Sequence, residues 1–157
     1  MKNIVLLTSA LYTNYGIYDP AQRIQQTLET AQSAKKYIPD AVVLLVDNSK
    51  EDVLQEDGDT FNELLDTVDY YIDNCEDPDI QLFHKTCQNY DIGKNAMEAL
   101  GLTKTLRHML NDKDMQKELK DCERIFKLSG RYKVTDQFDI NKFANVETKD
   151  KYVFKKA

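Results

Sequence analysis

The segment Arg124 to Val134, RIFKLSGRYKV, sets Lys127, Ser129, Gly130 and Arg131 along and just beyond an apolar run. A guanidinium can clamp two oxygens of one phosphate, and a neighbouring glycine lets a ligand approach the backbone. An ion pair with one of the chain's many acids is the competing use of Arg131. Lys94 follows Gly93 at the expected start of a helix, where a lysine and unpaired amides together suit a phosphate. A merely solvated lysine is the plainer alternative there. Two further polar groups close apolar runs. Thr8, Ser9 and Ala10 offer hydroxyls and free backbone groups, while Asp47, Asn48 and Ser49 offer a carboxylate that could hold a base N–H or a ribose hydroxyl. A simple turn explains Asp47-Asn48-Ser49 equally well, because both Asp and Asn favour turns.

Other chemistries find less support. No glycine-rich dinucleotide fingerprint or Walker sequence follows an apolar run, and no G-x-S-x-G elbow is present. Asp-x-Asp occurs three times, as Asp57-Gly58-Asp59, Asp77-Pro78-Asp79 and Asp112-Lys113-Asp114. Chance accounts for most of these in a chain so rich in aspartate, and none directly follows a strand-like run where a sheet-end metal site would sit. His84 and His108 have no partner at ligand spacing. Cys75, Cys87 and Cys122 are odd in number and lack CxxC spacing, so they read as reduced thiols rather than as a disulfide framework or zinc site.

The elements that must position these residues follow from the hydrophobic pattern. Asn3 to Ser9 and Ala41 to Val46 are continuous apolar runs of the kind that form strands covered on both faces. Between them, Asp19-Pro20 supplies a helix cap and a first-turn proline; Ile24, Leu28, Ala31 and Ile38 line one face, and Pro39 closes the helix. This is a βαβ unit, for which a right-handed crossover and parallel strands are expected. Phe61 to Ile72 has helical spacing, although Asp69 to Ile72 also fits an extended segment. Ile80 to His84 reads as a short strand. Helices are expected from about Lys94 to Leu110 and over Lys113 to Glu123, followed by a buried strand over Arg124 to Leu128. The alternation predicts a three-layer, Rossmann-like α/β/α domain with a mostly parallel sheet. In such sheets ligands bind outside the carboxyl ends of the strands, which is where the four polar groups fall.

Composition narrows the partners. A 157-residue chain with 41% hydrophobic residues is expected to form one domain with a real core. No apolar run is long enough to cross a bilayer, and the short run at Ile4 to Leu7 does not resemble a signal peptide, so a cytoplasmic location is expected. The net charge of −6 argues against a nucleic-acid partner. Charge is unevenly spread. Asp40 to Asp91 holds fifteen acidic and two basic residues, whereas Lys94 to Lys133 holds ten basic and six acidic. A local positive field in an acidic surround suits a small anion better than a long polyanion, and two solvated faces of opposite sign are the bland alternative.

Taken in order, "NIVLLTS", "DPAQR", "VVLLVDNS", "IGKNAMEAL" and "FKLSGRY" make the chain resemble the GT-A-type glycosyltransferases, particularly small bacterial and viral sugar transferases with an SGRY strand. The resemblance spans roughly Asn3 to Asp139, and SGRY is its most specific part. It implies transfer of a sugar from a nucleotide-diphosphate donor, most simply a UDP-sugar, to a hydroxyl of a glycan or other acceptor. By the same resemblance, Thr8, Ser9 and Ala10 with Asp47 and Asn48 would lie at the nucleoside. Arg23 and Lys94 would lie near the nucleotide or its phosphates, and Lys127, Ser129, Gly130 and Arg131 beside the diphosphate and sugar. Arg131 and Asp136 are the candidates for the chemical step.

The chain departs from that pattern twice. Lys127, Ser129 and Arg131 occupy the place of the family's metal-binding acids, so cations could neutralise the leaving diphosphate instead. Asp136 and Asp139 remain the candidate ligands for Mn²⁺ or Mg²⁺. Little sequence follows Asp139, where the family continues into an acceptor-binding half. A minimal enzyme, a homo-oligomer completing its site across an interface, and a truncated nucleotide-binding module that does not turn over all stay open. A nucleotidyltransferase is less well supported, because Ala10 to Gly16 is not a glycine-rich loop with a basic residue.

Overall fold

The computed structural model describes residues 2–52 and 58–143. Four parallel strands form one sheet in the order β3-β2-β1-β4. Strand β1 (Lys2–Ser9) and strand β2 (Ala41–Asp47) occupy the middle and pair from Asn3↔Ala41 to Ser9↔Asp47. Their continuous apolar runs follow from this central placement, since both faces of each strand must be covered. Strand β3 (Tyr70–Asp73) flanks β2, and strand β4 (Cys122–Ser129) flanks β1.

Helix α1 (Pro20–Tyr37) joins β1 to β2. Its start is a capping box: the Gln22 amide donates to Asp19 at 2.8 Å and the Asp19 amide donates back to the Gln22 side chain at 3.2 Å. Ile24, Leu28, Ala31 and Ile38 are all buried, as their spacing predicts. They pack with Val5, Leu7, Val43 and Leu45 on one face of the sheet, joined by Leu64 from helix α2 (Gly58–Thr67). The opposite residues of the strands, Ile4, Leu6 and Leu44, meet Met109 of helix α4 (Tyr90–Asn111) and Met115 of helix α5 (Lys113–Lys120). Helices thus cover both faces, an arrangement compatible with a Rossmann-like fold.

Four expectations need correction. The third strand is Tyr70–Asp73, and Ile80 to His84 lies inside helix α3 (Pro78–Thr86). Asp77 caps that helix, accepting the Asp79 and Ile80 amides at 3.0 and 3.1 Å, and Ile80 and His84 are its two buried residues one turn apart. Helix α2 ends at Thr67 because Asp69 turns the chain into the sheet, where its backbone and carboxylate both bond to the Val43 main chain. The alternative extended reading of Asp69 to Ile72 is therefore the correct one.

Helix α4 begins at Tyr90, capped by Asn89, rather than at Lys94. The Gly93 amide donates to the Asn89 carbonyl at 2.9 Å, so the amides around Lys94 are already engaged. Strand β4, expected to be buried, pairs with β1 alone among the described strands, and Glu123, Ile125 and Lys127 on one of its faces are exposed. Its other face is covered by Phe138 and Phe143, whose rings pack around Phe126 with centroids 5.6 and 5.8 Å away.

Candidate functional site

The crossover from β1 runs to β2 on one side of β1, whereas the crossover from β3 returns to β4 on the other side, so the strand order reverses between β1 and β4. That reversal opens a cleft at the carboxyl ends of β1 and β4. Its lining includes Thr8, Ser9 and Ala10 after β1, Arg23 and Thr27 of α1, Tyr90, Lys94 and Glu98 of α4, and Ser129, Gly130 and Arg131 after β4. The cleft is open to solvent on one side, and its volume is about 80 Å³. This is the scale of a phosphate-sized group, well short of the roughly 300–1,000 Å³ of a pocket that encloses a whole ligand.

None of the cleft's three cations forms an ion pair with a described acid. Arg23 is half-buried and donates to three backbone carbonyls of the β1–α1 loop: Ala10 at 3.2 Å, Tyr15 at 2.5 Å and Tyr18 at 3.1 Å. Carbonyls solvate a guanidinium without cancelling its charge. Burial, and then the nearby Arg131 charge, depress the pKa of Arg23 from its ordinary value. Neither Arg131 nor Lys94 forms an ion pair with any described residue; the Lys94 ammonium lies 6.0 Å from the Tyr90 ring centroid. The ion pair that would have explained Arg131 structurally is therefore absent among the described residues.

Glu98, which the sequence did not single out, is the one carboxylate among the described residues that line the cleft. Thr8 donates to its Oε1 at 2.6 Å, and Lys127 forms an ion pair with the same oxygen. Burial works to raise the Glu98 pKa, but the Lys127 and Thr8 hydrogen bonds outweigh it and hold the carboxyl below its ordinary value. Its signal in the sequence was the four-residue spacing from Lys94, which sets both on one face of α4.

The remaining sequence candidates divide sharply. Thr8, Ser9 and Ala10 line the cleft, but the Thr8 and Ser9 carbonyls already accept the Gly130 and Asn48 amides at 2.8 and 2.9 Å, and Ala10 serves Arg23. The Ser9 hydroxyl meets Thr27 Oγ1 at 3.1 Å. Gly130 packs against the same pair: a Cβ there would lie 2.7 Å from Thr27 Oγ1 and 3.1 Å from Ser9 Oγ. The glycine thus answers first to the closeness of β4 and α1. Lys127 is not among the cleft-lining residues, since its charge is turned to Glu98.

Asp47 is fully buried and lies outside the cleft. Its carboxylate accepts the Leu11 amide at 3.0 Å, the Ser49 hydroxyl at 2.8 Å and the Tyr71 hydroxyl at 3.3 Å. Burial pushes its pKa up to about 6 against these hydrogen bonds. The expected ribose carboxylate is therefore a latch holding the loop after β1. Asn48 does line the cleft, although its amide is tied to Met97 and Asn74.

The metal expectation does not fit. Asp136 and Asp139 are exposed and outside the cleft, and Asp139 accepts the Asn141 amide at 2.9 Å. Asp52, Asp73 and Cys75 bring three potential ligand atoms within 4.8 Å of one another. However, the Cys75 thiol donates to Asp52 at 2.9 Å, and burial together with the two carboxylates pushes its pKa up, which disfavours the thiolate a metal needs. No described helix is long and apolar enough to cross a membrane. Comparison of the chain with protein families, curated proteins and solved structures finds no match.

Proposed function

We propose that the cleft binds the diphosphate of a nucleotide-diphosphate sugar, most simply a UDP-sugar, and that the chain is a GT-A-like glycosyltransferase acting on a hydroxyl acceptor. The observation that carries this reading is the convergence of Arg23, Lys94 and Arg131 on one small cleft, none of them in an ion pair with a described residue. Three like charges held together destabilise the free protein and are relieved by a polyanion. A diphosphate supplies that charge, and its demand rises as the bond between the sugar and the phosphate breaks. Cations aimed at that leaving group would stabilise the transition state more than the ground state.

The small size of the cleft supports a reading in which the diphosphate sits there and the nucleoside and sugar extend over the rim, where Tyr90 is exposed. The charge balance is met by side chains, and among the described residues the donor set around the cleft offers no built place for a divalent metal. The test is calorimetric titration with UDP, GDP, CDP and their diphosphate sugars, each with and without Mn²⁺. UDP and a UDP-sugar are expected to bind without metal; failure of every nucleotide to bind ends the proposal. Product assay with a panel of hydroxyl acceptors then separates a transferase from a module that binds without turnover.

A further inference from the structure

Glu98 is an odd residue for a site built on three cations. A carboxylate repels phosphate, and a cleft meant only for an anion would be better lined by glutamine. Its contacts do not require it to line the cleft either: the Thr8 hydroxyl and the Lys127 ammonium both end on Oε1. Oε2 accepts no hydrogen bond from the described residues, yet it is not sealed among the buried atoms lacking partners. The Glu98 side chain keeps 30% of its surface exposed, on a residue that lines the cleft. Its geometry is fixed from two sides, by a buried threonine at the end of β1 and a lysine on β4.

An ionised carboxylate can only accept hydrogen bonds. The groups of a phosphorylated ligand that can donate to it are hydroxyls, such as those of ribose or of a transferred sugar. Lys127 cancels most of the repulsion that Glu98 would otherwise exert on the phosphate, which is what lets an acid operate beside Arg131 and Lys94. We propose that Glu98 is the specificity residue of the cleft, accepting a hydrogen bond from a sugar hydroxyl of the bound ligand through Oε2. The site thereby selects hydroxyl-bearing phosphate esters over bare phosphate anions. This deepens the proposed function and rests on the cleft being a diphosphate site.

The experiment measures the affinities of inorganic diphosphate, UDP and UDP-glucose for the wild type, Glu98→Gln, Glu98→Ala and Glu98→Asp at one ionic strength, with thermal melts confirming that each variant folds. Removing the charge should tighten inorganic diphosphate by about two- to fivefold, because a repulsive charge has gone. The same change should weaken the hydroxylated ligand by about tenfold or more, as a charge-assisted hydrogen bond is lost. Glu98→Asp retains the charge but withdraws the oxygen, so it should weaken the hydroxylated ligand without tightening diphosphate. A loss already seen with UDP assigns the hydroxyl to ribose; a loss confined to UDP-glucose assigns it to the sugar. Equal weakening of all three ligands would make Glu98 a strut for Thr8 and Lys127 and overturn the inference while leaving the diphosphate site intact. If the wild type binds none of the three, the cleft is not a phosphate site and both readings fall.

Discussion

Asp47-Asn48-Ser49 and Ser129-Gly130-Arg131 are polar triplets of equal length at the carboxyl ends of the two parallel strands that flank β1, and they do opposite things. The first triplet is buried throughout, with exposures of 0%, 3% and 1%. Its side chains bind the loop that follows β1, through Leu11 and Tyr12, and the Asn48 carbonyl faces the His84 ring. The second triplet ends in a guanidinium that no described acid neutralises. What separates them is position in the sheet. β2 is central and its end is roofed by the crossing loop, so polar groups there must find partners within the protein. β4 lies at the edge beside the point where the connections diverge, so its end stays open to a ligand.

The largest test of this contrast is Asp47→Ala, which strands the Leu11 amide and the Ser49 and Tyr71 hydroxyls. A loss of about 3–4 kcal/mol of folding stability is expected in chemical denaturation. A stable variant that had merely lost nucleotide affinity would make Asp47 a ligand group and erase the contrast.

The pH dependence of Asp47 sharpens the same point. Its folded pKa of about 6 lies above the unfolded value, so the folded state holds the extra proton between about pH 4 and pH 6. Its contribution to stability is complete below that window and is lost as pH rises through it. The stability of the wild type relative to Asp47→Asn should therefore fall by up to about 3 kcal/mol between pH 4 and pH 7, read from paired denaturation curves. A difference that grows with pH would mean the hydrogen bonds outweigh burial at Asp47.

Arg131→Ala tests the open triplet. It should weaken donor binding about ten- to a hundredfold, equivalent to roughly 1.5–3 kcal/mol, with little change in melting temperature. Arg131→Lys should recover only part of the loss, because an ammonium cannot reproduce a two-point clamp. Unchanged affinity together with a lower melting temperature would make Arg131 a structural residue like Asp47.

Lys127→Ala should have the smallest effect, about two- to threefold weaker binding, since it acts on the ligand only by leaving Glu98 uncompensated. A loss as large as that of Arg131→Ala would place Lys127 on the donor itself.

The legible parts of the sequence were those where a single local signal sufficed. β1 and β2 announce themselves as unbroken apolar runs, and Asp19-Pro20 marks the start of α1 unambiguously. The third strand was hidden because its four residues, Tyr70–Asp73, follow a helix without glycine or proline between them. Pairing with Leu44 to Asp47, a long-range event, decides that segment. Ile80 to His84 misled because five residues can carry an apolar run of either kind, and the Asp77-Pro78 cap should have outweighed it. At the site, Arg131 was legible from charge and position, and Lys94 from charge alone, since the helix start expected there lies at Tyr90. Arg23 was legible only as a cation, since its three carbonyl partners come from the fold of the loop. Glu98 was legible only as the residue one turn beyond Lys94; a glutamate inside a helix looks solvated until β1 and β4 are set beside it.

Helix α4 shows its sheetward face as Gly93, Met97, Gly101, Thr105 and Met109, all buried. The two glycines are places where a side chain cannot fit: a Cβ at Gly93 would lie 2.7 Å from the Tyr15 hydroxyl, and one at Gly101 would overlap the Asn48 amide. They lie two turns apart with Met97 midway between. Sliding the helix by one turn would drive the Met97 side chain into a notch made for hydrogen, so α4 behaves as a keyed shaft with a single seating. Lys94 and Glu98 ride on that shaft. Their heights above the sheet are consequently set before any ligand arrives, and association should proceed in one kinetic step whose observed rate rises linearly with ligand concentration, without the plateau of a conformational gate.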